Sequence, residues 1–108
     1  TVVEKQTFDA TASASKASLS PAKQVVVFGC ETHVCVLQTV AGLLRTEDRQ
    51  VFVVADACGT REPENHVYAL ERMRDWGVSV VTTEMVLFEA VQRPAHPQFR
   101  SILTLIKQ

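Results

Sequence analysis

Residues 24–36 read QVVVFGCETHVCV. Val25 to Phe28 form an unbroken apolar run that stops at Gly29, the pattern of a strand buried on both faces rather than one that alternates between core and water. The period then changes. From His33 to Arg45 the residues Val34, Leu37, Ala41 and Leu44 mark one helical stripe, and Val36, Val40 and Leu43 mark a second. Such a helix is apolar around much of its circumference and is expected to be buried or shared with a second subunit. A buried strand running straight into a buried helix is the start of a βα unit.

The same unit recurs downstream. After the polar break TEDRQ (46–50), Val51 to Ala55 form a second all-apolar strand, closed by Asp56. Pro63 suits a first helical turn, Glu62 and Glu64 favour its positive end, and Val67, Leu70, Met73 and Trp76 recur until Gly77 offers a C-cap. Val78 to Val81 read as a third buried strand. Thr83 is the expected cap of a helix over Glu84 to Val91, and Phe99, Ile102, Leu103 and Ile106 space a last helix. Upstream, Thr1 to Val3 read as the end of a strand, and residues 10–18, ATASASKAS, as a surface loop or a weak helix start.

The order strand, helix, strand, helix, strand, helix, helix specifies an α/β fold: a Rossmann-like open parallel sheet with helices on both faces, in three layers. At 108 residues the chain fits one domain or part of one. A sheet covered on both faces is marginal at this size, and the chain starts without Met. It is therefore expected to be the C-terminal part of a longer domain over 1–108, lacking N-terminal strands.

The 11 Lys and Arg balance against 12 Asp and Glu for a net charge of -1, which offers no clustered positive field for nucleic acid or an anionic membrane. No apolar stretch approaches the ~20 residues of a membrane-spanning helix, and there is no signal-peptide pattern. Three cysteines, an odd number, are read as reduced thiols in a cytoplasmic setting. Neither GxGxxG nor GxxxxGK[ST] occurs, so no nucleotide or nicotinamide cofactor is expected.

Ligands of parallel sheets bind beyond the carboxyl ends of the strands, which directs attention to GCETHVC (29–35), DACGTRE (56–62) and TTEM (82–85). The first is the densest in reactive groups. A cysteine in the first turn of a helix meets unpaired N–H groups that favour thiolate below the free pKa of ~8.5 and can receive the oxygen of a tetrahedral intermediate. Cys35 is better placed for this than Cys30, and acyl transfer or amide hydrolysis is the natural chemistry. The plainer alternative is that Cys35, like most cysteines of α/β cores, packs. Cys30 is expected to pack, and Cys58 has no basic neighbour closer than Arg61. Cys30, His33 and Cys35 lack the spacing of a structural zinc site. His33 points away from Cys35 if both are helical, so it is expected to face solvent or support a neighbour.

The segments VVVFGCETHVCVLQTV, VFVVADACGTR and ALERMRDWGVSVVTTEMVLFE resemble the isochorismatase-like family of cysteine hydrolases, and in particular its isochorismatase domain-containing subgroup with the pattern G-x-E-x-H-V-C. The resemblance runs from about Val2 to Lys107. It implies a six-stranded parallel sheet and an Asp, Lys and Cys triad, with Cys35 as the nucleophile and Lys5, in VVEKQTF, as the lysine. Taken alone, Lys5 reads as a surface lysine. The triad aspartate would lie outside these residues, since neither Asp9 nor Asp56 matches its place. The resemblance further implies a cis peptide at Glu31-Thr32, oxyanion donors at the N–H groups of Val34 and Cys35, a small-molecule amide or related substrate, and a homo-oligomer. An N-terminal segment or companion chain would complete the site. Metal ligands used by nicotinamidase-type relatives would fall in that other part, and none is assigned here. The competing reading is a non-catalytic protein that keeps the fold and uses the 33–45 helix for oligomerisation.

Overall fold

The computed structural model describes residues 2–14, 23–45 and 49–107. Parts of the polar stretch (15–18) and of the TEDRQ break (46–48) lie outside the described residues. Strands β1 (Gln24–Cys30), β2 (Gln50–Gly59) and β3 (Ser79–Val81) form a parallel sheet in that spatial order. The helices are a single turn α1 (Thr11–Ala14), then α2 (Leu37–Arg45), α3 (Pro63–Asp75), α4 (Thr83–Val91) and α5 (Phe99–Ile106). The expected α/β order is present, with helices on both faces of the sheet.

Alternation along the strands sends Val25 of β1 and Val51 and Val53 of β2 to one face, where they meet Val40 and Leu43 of α2 and Ala69, Leu70 and Met73 of α3. Val40, Leu43, Val53 and Met73 are nearly inaccessible, and each such side chain contributes about 1.5–3 kcal/mol on burial. On the other face Val26, Phe28 and Val54 form a cleft with Val86 and Leu87 of α4. Phe88 of α4 packs on Phe99 of α5 with ring centroids 6.1 Å apart. The Val36, Val40 and Leu43 stripe of the apolar helix therefore turns into the chain's own core, while Val34, Leu37, Ala41 and Leu44 are only half-buried.

The helix ends follow local chemistry. Gly77 takes φ +87°, its N–H bonds to the Arg74 carbonyl (2.9 Å), and the Val78 N–H bonds back to Met73 (3.1 Å), so α3 closes in a Schellman motif. At α4 the cap is Thr82, whose hydroxyl accepts from the Met85 N–H at 3.3 Å, one residue before the expected Thr83. Thr83 is instead the first helical residue, because Asp56 accepts from its N–H (2.8 Å) and from its hydroxyl (2.9 Å).

Two strand assignments change. β2 does not stop at Asp56 but runs to Gly59: Val27 pairs with Val53, yet Gly29 pairs with Cys58 and Cys30 with Gly59, so β2 bulges and then resumes its ladder. Of Thr1 to Val3, read as a strand end, Thr1 lies outside the described residues, Val2 and Val3 pair with no strand among them, and Val2 is 97% exposed. An extended segment without a ladder partner is not a strand.

The two Thr83 hydrogen bonds hold the Asp56 carboxyl below its ordinary value of 3.8. A depressed folded-state value means that the contribution is present above about pH 4 and is lost as pH falls through the lowered value. Asp56→Asn is expected to lower the urea midpoint at pH 7 and to lower it less, or not at all, near pH 2. An equal loss at both pH values would contradict this role.

Candidate active site

β1 delivers the chain to Gly29, whose φ of +136° is one that side-chain-bearing residues rarely adopt. Cys30 follows, and the peptide bond between Cys30 and Glu31 is cis. The expected position, Glu31-Thr32, is one residue too late. The Glu31 carbonyl is the first acceptor of the helical turn, receiving the N–H groups of Val34 (3.1 Å) and Val36 (3.2 Å).

Residues Thr32–Val36 form a π-helical turn rather than the first turn of an α-helix. Such wide turns concentrate at functional sites. Thr32 is wholly buried, and its hydroxyl lies 3.2 Å from the Gly59 carbonyl and 2.9 Å from His66 Nδ1. The turn is thus tied to the end of β2 and to α3 before it reaches the buried stripe of α2. Sequence reasoning names Thr32 only as part of the expected cis peptide and misses His66: a threonine between two polar neighbours gives no sign of a partner 34 positions away.

The N-terminal segment docks on α2 from the other side. Asp9 accepts from the Thr11 N–H (2.8 Å) and hydroxyl (2.5 Å) and pairs with Arg45 (3.3 Å). The Ala10 N–H bonds to the Thr39 hydroxyl at 3.0 Å. Close approach here requires Gly42, where an added Cβ would overlap the Thr11 hydroxyl and both Asp9 carboxylate oxygens. This docking carries Lys5 to Cys35: Nζ lies 3.7 Å from Cys35 Sγ and 2.9 Å from the Thr7 carbonyl. Two residues 30 positions apart, paired beforehand only by resemblance, meet in space.

They share a cleft of about 230 Å³ with Phe28, Cys30, Val36 and Thr39. Among the described residues lining it, Lys5 is the only charged one. A larger, shallower depression of about 820 Å³ beside α4, lined by Thr82, Glu84, Met85 and Phe88, contains no comparable nucleophile.

The other expected site residues divide. Cys30 does not pack inside; it is exposed and lines the Cys35 cleft, because it lies at the end of β1, the outer strand of the sheet. Cys58 lies within β2 rather than in a loop. Burial pushes its thiol above the ordinary 9.0, the Gly29 N–H pulls it partly back, and Cys30 and Asp56 add smaller upward pushes. His33 lies 3.5 Å from Glu31, which also pairs with the exposed Arg61 at 3.0 Å. Asp9 is bonded to Thr11 and Arg45, and Asp56 to Thr83. The Val34 N–H is already donated to Glu31, so an oxyanion would have to compete for it. No hydrogen bond of the Cys35 N–H to a group outside the turn is found among the described residues. No group of three or more His, Cys, Asp or Glu converges as metal ligands among the described residues, and no helix there is long and apolar enough to cross a membrane.

A model of the isochorismatase domain matches residues 1–85. The chain belongs to the isochorismatase family. Isochorismatase domain-containing protein 1 of Salmo salar is 40% identical over 96 residues, which cover 89% of this chain and 34% of that protein. Isochorismatase domain-containing protein 2 of Bos taurus is 41% identical over 88 residues, 80% of this chain and 42% of the relative. Among solved structures, one described as MAR1 ribonuclease from Caenorhabditis elegans superposes with a TM-score of 0.87 at 31% identity, covering 96% of this chain and 54% of that one. The nicotinamidase PncA from Bacillus subtilis, at 24% identity and TM-score 0.64, shares the fold. The chain thus spans about a third to a half of its isochorismatase relatives. Hydrolases are the general rule of the family.

Native alkylation by iodoacetamide at neutral pH, mapped by peptide mass, is expected to label Cys35 before Cys58. Lys5→Met is expected to slow Cys35 by about fivefold, the upper end for a partly exposed charge pair, and to leave Cys58 unchanged. Cys58 reacting first would contradict the geometry.

Proposed function

We propose that this chain carries the nucleophile of a cysteine hydrolase acting on a small amide or related substrate. The observation that supports the reading is the 3.7 Å contact between Lys5 Nζ and Cys35 Sγ at the carboxyl end of β1. In this reading Cys35 Sγ bonds to the substrate carbonyl carbon, and the carbonyl oxygen takes up the electron pair. The Lys5 ammonium pairs first with the thiolate and then with the developing negative charge. The N–H groups of Val34 and Cys35 are the expected oxyanion donors, and that of Val34 would have to leave the Glu31 carbonyl to act as one. Collapse expels the amine, which leaves with a proton, and water then releases the acid from the thioester.

The general base for the thiol is an aspartate outside these 108 residues, supplied by the part of the isochorismatase domain that the chain does not span. A cleft of about 230 Å³ with mostly apolar walls suits a substrate of a few heavy atoms. Free thiols throughout accord with a reducing, cytoplasmic setting.

The alternative of a binding or oligomeric protein draws support from a different surface than the sequence indicates. The Val36, Val40 and Leu43 stripe is internal, but β1 exposes Val26 (44%) and Phe28 (65%) beside the edge not bonded to β2. An apolar parallel strand left this open favours cover from a further segment, a companion chain or a second copy.

Rapid acid quenching of the full chain with a panel of primary amides and carbamoyl compounds, followed by peptide mass analysis, tests the enzymatic reading. It is expected to trap an acyl adduct on Cys35 that Cys35→Ala abolishes together with turnover. Turnover that survives Cys35→Ala would contradict it.

A further inference from the structure

We infer that Thr32 and His66 are positioning residues, which hold the turn bearing Cys35 in the register that brings its thiol to Lys5. The inference rests on the reading of Cys35 as nucleophile and adds residues from outside its cleft. Thr32 is wholly buried, yet it is polar and stands where β1, the end of β2 and α3 converge. A buried hydroxyl is retained only where its hydrogen bonds are made.

The chemistry of the pair fixes its direction. The Gly59 carbonyl can only accept, and the Thr32 hydroxyl has one proton, so the 3.2 Å contact uses that proton. The 2.9 Å contact to His66 is then a hydrogen bond only if His66 Nδ1 carries hydrogen and donates to Thr32. Both bonds form together when His66 carries a proton on Nδ1. Thr32 is thereby held by one bond to the sheet and one to α3.

This clamp matters because the turn is π-helical. Val36 donates to Glu31 across a wider ring than an α-turn closes, and Cys35 sits inside that ring. Relaxing the turn to α register would rotate the residues beyond Thr32 by roughly 100°, one residue's worth of helix. The 3.7 Å approach of Cys35 to Lys5 would not survive such a rotation. The ion pair of Glu31 with Arg61 adds little restraint, since the Arg61 side chain is 85% exposed.

A double-mutant cycle between position 32 and position 5 in the full chain separates this role from a merely structural one, with the native alkylation rate of Cys35 by iodoacetamide as the readout. In the unsubstituted protein Lys5→Met slows Cys35 by about fivefold. In the Thr32→Val background, which keeps the side-chain shape but removes the hydroxyl, the same Lys5→Met is expected to change the rate by less than about twofold, because the pair is already broken. Thr32→Ser retains the full Lys5 effect. His66→Leu behaves like Thr32→Val, whereas His66→Asn, which keeps a donor near the Nδ1 position, restores it. If Lys5→Met has its full effect in both Thr32→Val and His66→Leu, the positioning role is overturned and the nucleophile reading stands. If Lys5→Met has no effect in the unsubstituted protein, both fall.

Discussion

Between Gly29 and Leu37 the chain must pass from the end of a parallel strand into a helix whose Val36, Val40 and Leu43 are committed to the core beneath the same sheet. Everything distinctive about the molecule follows from how that passage is made. Gly29 takes a backbone angle closed to most residues, the Cys30-Glu31 peptide is cis, and the first helical turn is wide rather than regular. The passage is held from both sides. Thr32 ties it to Gly59 and His66, while α2 receives the N-terminal segment through Asp9, Ala10 and Thr11. The thiol of Cys35 and the ammonium of Lys5 meet where these two restraints converge.

The layout of the sheet was legible in the sequence wherever a signal was local. The run Val25 to Phe28 is a strand as it reads, although it is not buried on both faces, since Val26 and Phe28 stay exposed on the face away from α2 and α3; Pro63 and Gly77 bracket α3 because one fits a first turn and the other a left-handed C-terminal position. Misreadings occurred where structure depends on a distant partner. Asp56 looked like a strand end because it is polar, but the strand continues past it, since Cys58 and Gly59 find ladder partners on β1. Thr83 looked like a cap, yet Asp56 occupies its N–H and passes that role to Thr82.

The site divides along the same line. Cys35 stood out from the chemistry of a helix start, whereas Lys5 was indistinguishable from a surface lysine except by resemblance to the family, because the docking that brings it in runs through Gly42, Asp9 and Thr39. Cys30 reads as a packing residue at a strand end, and β1 instead leaves it exposed in the cleft. Thr32 is singled out only by the resemblance, as part of the expected cis peptide, and its pairing with His66 leaves no signal in the sequence. The three thiols, alike in sequence, are separated by the fold: one beside a lysine in a cleft, one open to solvent, and one whose burial disfavours the thiolate.

The account depends on Lys5 and Cys35 being neighbours in the folded chain, and chemical cross-linking tests that most directly. A short amine-to-thiol reagent applied to the native full chain, followed by peptide mapping, should give the Lys5-Cys35 link as the main product at Cys35, and Gly42→Ala should weaken it by displacing the N-terminal segment. Cross-linking of Cys35 chiefly to another lysine, with Lys5 unmodified, would contradict the arrangement and the hydrolase reading built on it.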